Sequence, residues 1–172
     1  MSNKQALRDF QTRLAQRLQA VREQTQTSRW LAVDCAGLGI LLPLQHAAEI
    51  FAPVATTTVP YTKPWMLGVA NLRGGLHTVI DLTQFLGLRQ GRATEHAAGR
   101  LVALNAELNI NCALLVDKLL GLRSEEQLTR AADSGERPHF AADQRVDDKG
   151  RVWQVLDLDV LARFQPFLDI VA

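Results

Sequence analysis

Asn71-Leu72-Arg73-Gly74-Gly75, followed at once by Val79-Ile80-Asp81-Leu82, constrains this chain more than any other stretch. A strand ending on a two-glycine turn, a second strand, and an Asp-Leu exit describe a hairpin running into a helix capped by the aspartate. The ending returns as Val155-Leu156-Asp157-Leu158. One closing device used twice implies two similar β-rich halves. Neither copy carries the residues of an active site, which points to a protein that binds other proteins.

Turn and period signals extend this plan along the chain. Trp30 to Cys35 and Ile40 to Leu44 are short apolar runs flanking Ala36-Gly37-Leu38-Gly39, a hairpin signal, and Ala47 to Phe51 reads as a third extended or mixed segment. Ala52 to Pro64 holds three prolines and reads as a loop. Pro64 to Gly68 reads as a helical turn, Val69 to Arg73 with Leu76 to Asp81 as the hairpin, and Thr83 to Leu86 as a short helix ended by Gly87. Residues 91–99 read as a polar connector. The second half follows with Leu101 to Ala106 and Ile110 to Val116 as a hairpin, a strand over Leu119 to Leu122, and a polar loop over Glu125 to Pro138. Phe140 to Val146 and Val152 to Asp157 flank the turn Asp147-Asp148-Lys149-Gly150, and Leu158 to Phe164 reads as the closing helix. Short strands arranged twice predict a mainly β fold of two small barrels. A parallel α/β sheet would need long helical crossovers.

Ahead of the strands, Leu7, Phe10, Leu14, Leu18 and Val21 recur at steps of three and four, one stripe of an amphipathic helix. Ser2 and Gln5 are spaced as a capping box. Lys4, Arg8, Arg13, Arg17 and Arg22 outnumber Asp9 and Glu23. A basic amphipathic helix suits a membrane surface or a partner, or it packs on its own domain through the stripe; self-packing is the expectation.

The overall charge balance, 19 Lys and Arg against 18 Asp and Glu, predicts no attraction to nucleic acid or membrane. No run approaches the roughly 18 apolar residues of a membrane span, and the polar start lacks a signal-peptide core, so a cytoplasmic protein is expected. Cys35 and Cys112 sit on apolar segments. The sequence leaves a disulfide between them open, but two free buried thiols are expected. His46, His77, His96 and His139 are too scattered for a metal site, and no phosphate loop or nucleophile elbow is present; no cofactor is expected. Asp81 with His77 is the best acid–base pair available, yet strand rise separates them by roughly 13 Å. Arg73, at the lip of a turn, suits bidentate recognition of carboxylates.

The run WMLGVANLRGGLHTVIDL, Trp65 to Leu82, resembles the signature of the CheW-like adaptors of bacterial chemosensory systems. The similarity extends from Arg29 to about Phe164 and includes Ala48-Glu49-Ile50, Leu115-Val116-Asp117-Lys118 and the second Val-Leu-Asp-Leu. The resemblance implies two five-stranded SH3-like barrels, about residues 29–88 and 99–164, with an N-terminal helical extension over 1–28 and a tail over 165–172. It implies a scaffold without catalysis that couples the cytoplasmic tip of a methyl-accepting chemoreceptor to the regulatory domain of a CheA-like histidine kinase. Carried over by position, partner contacts fall on Glu49, Ile50, Asn71, Leu72, Arg73, Gly74, Gly75, Val79 and Ile80. The family usually has proline where this chain has Thr78. The N-terminal helix resembles the PilI-type adaptors of twitching-motility systems driven by type IV pili. The competing reading is a small β-barrel enzyme or ligand-binding protein using Asp81, His77 or Asp157, with a pocket of convergent polar groups.

Overall fold

The computed structural model describes residues 3–90, 99–132, 135–141 and 143–172. The connector expected over residues 91–99 lies almost wholly outside these, as do Ser2 of the expected capping box and His96. The elements are α1 (Asn3–Thr27), β1 (Ser28–Cys35), β2 (Leu38–Pro43), β3 (Ala47–Phe51), β4 (Met66–Leu72), β5 (Gly75–Asp81) and α2 (Leu82–Phe85). They continue as β6 (Arg100–Leu104), β7 (Cys112–Val116), β8 (Lys118–Ser124), β9 (Leu128–Arg130), β10 (Gln144–Asp147), β11 (Val152–Val155), α3 (Leu158–Leu161) and α4 (Gln165–Leu168).

The fold is mainly β, with two sheets ordered β8-β1-β2-β11-β10-β9 and β3-β6-β7-β5-β4. The two are built alike. In each, an antiparallel hairpin (β1–β2 or β6–β7) lies parallel to the last strand of another hairpin (β10–β11 or β4–β5). The aspartates end both closing strands as expected. Asp81 Oδ1 accepts from the Gln84 N–H at 3.0 Å, and Asp157 Oδ1 accepts from the Asp159 and Val160 N–H groups at 3.0 Å.

The sheets do not follow the sequence halves 29–88 and 99–164. The β1–β2 hairpin leaves the first half to pair with β8 and β11, while β6–β7 leaves the second to pair with β3 and β5. The halves exchange their first hairpins, and one sheet has six strands instead of five. Packing accounts for the exchange. Leu31, Val33, Cys35, Ile40 and Leu42 on one sheet meet Met66, Ile80, Val102, Leu114 and Val116 on the other in a shared core. Each sheet also wraps a smaller core of its own: Ala32, Leu41, Leu128, Trp153 and Val155 in one, Leu67, Ala70, Leu72, Val79, Leu101 and Leu115 in the other. Both faces of the central strands are therefore buried.

Three further expectations are corrected. Pro64 to Gly68 is no helical turn; β4 starts at Met66 and bulges at Gly68, whose φ is +143°. A Cβ there would run into the Thr57 carbonyl oxygen, because Thr57 and Val69 exchange both backbone hydrogen bonds. The loop over Glu125 to Pro138 contains β9. Residues 165–172 are no tail. Phe167 on α4 is buried, stacked 6.3 Å from Trp65 and 5.0 Å edge-on from Phe85, and the Lys63 N–H donates to the Ile170 carbonyl.

The self-packing expected of α1 is not seen at the described residues of its stripe. Phe10, Leu14 and Leu18 are 64%, 48% and 57% exposed.

Candidate functional site

The five-stranded sheet ends on β3 at one edge and β4 at the other, and one ion pair links these two edges. Arg73 Nη2 lies 2.6 Å from Glu49 Oε1, bridging the hairpin tip after β4 to β3. The pair is exposed enough that its direct contribution to stability is at most about 1 kcal/mol.

The tip is tighter than the sequence suggested. Leu72 pairs with Gly75, so the loop is Arg73-Gly74 alone, with φ of +49° and +84°, the signs of a type I′ hairpin turn. Gly75 belongs to β5. Asn71 Oδ1 accepts from the Gly74 N–H at 2.8 Å and braces the loop. Asn, Asp or Gly is the favoured residue where Arg73 sits, since a Cβ in the left-handed region crowds the backbone. Arginine at that position is a strained choice whose return is the presentation of its guanidinium, three-quarters exposed beside Glu49.

Next to the tip, Leu76 stands across from Asn71 and is 62% exposed. It opens a groove of about 300 Å³ lined by Val69, Thr78, Ile80, Ile110, Leu168 and Ile170, among others. The Thr78 N–H, which the family's usual proline would lack, donates to the Asn111 carbonyl at 2.9 Å.

Of the residues expected to touch partners, Glu49, Asn71, Arg73 and Gly74 meet at the hairpin tip, while Ile50, exposed, follows Glu49 on β3 and so faces the other side of that strand. Leu72, Val79 and Ile80 are 4%, 1% and 1% exposed. Leu72 and Val79 fill the interior of the five-stranded sheet, and Ile80 belongs to the shared core and floors the groove. These three shape the surface without forming its rim. Sequence reasoning missed Leu76 and the α4 side of the groove. The apolar side chain of Leu76, placed directly after a glycine turn at a strand start, was the available signal.

The residues of the competing reading do not converge. Asp81 is buried against α2, with Oδ2 4.0 Å from Arg89 Nη1, while His77 Nδ1 lies 3.0 Å from the Gly75 carbonyl. Arg89 also reaches Asp117 at 2.7 Å, which holds its guanidinium protonated above its ordinary value. A larger open depression, about 950 Å³, collects Arg29, Trp30, His46, His139, Asp143 and Asp157. Its carboxylates are engaged: Asp157 caps α3, and Asp143 pairs with Arg130 and Arg145. Among the described residues no cluster of three or more His, Cys, Asp or Glu is gathered to hold a metal ion.

The CheW-like domain pattern matches residues 29–165, most of the chain. The chain belongs to the CheW-like family. It is 28% identical over 164 residues to Protein PilI of Pseudomonas aeruginosa, spanning 92% of this chain and 88% of that protein. Chemotaxis protein CheW of Helicobacter pylori is 30% identical over 78 residues, 45% of this chain and 46% of that one. The crystal structure of the scaffolding protein TtCheW from Thermoanaerobacter tengcongensis superposes with a TM-score of 0.64, covering 77% of this chain and 85% of that chain at 20% identity. That likeness establishes the shared fold. The family is one of scaffold and adaptor proteins, and α1 precedes the matched region.

Proposed function

We propose that this CheW-like protein is a non-catalytic chemosensory adaptor that couples a methyl-accepting receptor to a CheA-like histidine kinase. Its likeness to PilI along most of the chain supports an output to type IV pilus twitching motility. It works in the cytoplasm and is recruited to membrane-bound receptor arrays; no described helix is long and apolar enough to cross a membrane.

The observation that carries this reading is the exposed Arg73–Glu49 bridge at the tip of the β4–β5 hairpin, whose strands also line the shallow apolar groove beside Leu76. An exposed ion pair and a shallow apolar groove on one hairpin suit a polypeptide: the apolar floor supplies contact area and the charges set register and encounter rate. The hairpin tip of Asn71, Arg73 and Gly74 is the part of this surface assigned to the kinase regulatory domain. The receptor's helical tip fits the groove. Modest interfaces of this kind gain strength from clustering in arrays.

Co-purification of Arg73→Glu with kinase and receptor fragments tests the reading. The variant keeps its fold and fails to assemble the ternary complex; normal recruitment of both partners removes this hairpin tip from the interface.

A further inference from the structure

The described residues of the α1 apolar stripe are left uncovered by the barrels. Phe10, Leu14 and Leu18 are all exposed, on a helix of 25 residues outside the matched domain. Leu7, Phe10, Leu14, Leu18 and Val21 follow steps of three, four, four and three, an average of about 3.5 residues. In helical projection at about 100° per residue these five positions fall within an arc of roughly 80°. That is the narrow seam of a coiled coil and not the broad apolar face with which a helix lies in a membrane.

The charges are arranged about this seam. Arg13 and Arg17 border it on one side, and Lys4 and Arg22 occupy the positions bordering the other. Asp9 and Glu23 fall on the opposite face. Arg8, Arg13 and Arg17 are exposed, and none forms an ion pair with a described residue. In a coiled coil, the residues flanking the seam choose the partner by charge. Basic flanks on both sides repel a second copy of the same helix and match a helix whose apolar seam is bordered by Asp or Glu.

We infer that α1 is a docking arm that pairs, as a two-stranded coiled coil, with an acidic-flanked amphipathic helix of another protein. The seam from Leu7 to Val21 runs about 21 Å along the helix, enough for a short, reversible pairing that is sensitive to salt. It acts separately from the Arg73 hairpin tip, so the two surfaces are testable apart.

The probe is a fluorescein-labelled three-heptad peptide with Leu at the seam positions and Glu at the flanking ones. Its sister carries Lys in place of Glu. Fluorescence anisotropy with the full chain is expected to give micromolar binding to the Glu peptide and at least tenfold weaker binding to the Lys peptide. Raising NaCl from 50 to 500 mM should weaken the former. A Leu14→Gln, Leu18→Gln double variant loses binding while keeping its helical circular dichroism and thermal midpoint, because glutamine is a good helix former. The inference is overturned by no binding, by equal binding of the two peptides, or by binding that survives the double variant. Seam-dependent sedimentation with 7:3 phosphatidylcholine–phosphatidylglycerol vesicles overturns it in favour of a membrane. Seam-dependent dimerisation in sedimentation velocity overturns it in favour of self-pairing.

Discussion

Arg73→Asn separates recognition from stability. Arginine at a left-handed turn position carries part of the roughly 1–2 kcal/mol that a Cβ costs there, and asparagine relieves some of it, a gain of about 0.5–1 kcal/mol. The change also removes the bridge to Glu49; with Arg73 75% and Glu49 34% exposed, that loss is about 0–1 kcal/mol. The two effects nearly cancel. For a chain of this size, a net change within about 0.5 kcal/mol moves the thermal midpoint by no more than about 2 °C. Binding has no such compensation. Removing a guanidinium that engages a partner carboxylate costs about 2 kcal/mol or more, a loss of affinity of roughly 30-fold. Calorimetric titration with the kinase regulatory domain, alongside a thermal melt, reads both quantities. Glu49→Gln completes a double-mutant cycle: if Glu49 orients the guanidinium, the two losses are less than additive. A midpoint lowered by more than about 5 °C, or a Kd within threefold of the parent, refutes the reasoning.

Gly68→Ala places a methyl group against the Thr57 carbonyl at a positive φ, and is expected to cost about 2–3 kcal/mol in urea unfolding, against about 1 kcal/mol for Gly74→Ala, which has a positive φ but no atom in the way. Burial pushes the Cys35 and Cys112 thiols up to about 12, with a Thr83 hydrogen bond opposing part of the effect at Cys35. Neither thiol should react with Ellman's reagent at pH 8 until the chain unfolds; rapid labelling of the native protein would contradict their burial. Asp147 is held below its ordinary value of 3.8 chiefly by the Trp153 Nε1–H, and then by the Arg151 and Lys149 N–H groups. Its contribution to stability is complete above that value and is lost as pH falls through its lowered folded value. Asp147→Asn should therefore flatten stability against pH below about 4 and leave the slope above pH 5 unchanged.

What the sequence made legible is what local chemistry decides. The turn at Asp147 to Gly150, the capping aspartates at 81 and 157, and the hairpins themselves depend on neighbours a few residues away. Which hairpin joins which sheet depends on apolar faces far apart in the chain. Along β1, Leu31, Val33 and Cys35 enter the shared core while Ala32 enters the six-stranded sheet's own core; on β2, Ile40 and Leu42 alternate with Leu41 in the same way. With both faces buried, such strands show no alternation of apolar and polar residues, and nothing in their period distinguishes one sheet from another. The exchange of hairpins was hidden for that reason. The Glu49–Arg73 pair was hidden similarly, since it joins residues at opposite edges of one sheet. Double burial has a consequence for recognition. Central strands that spend both faces on packing leave side chains for a partner chiefly at sheet edges, hairpin tips and protruding helices. Those are the places where Ile50, Arg73, Leu76 and, on α1, Phe10, Leu14 and Leu18 stand exposed.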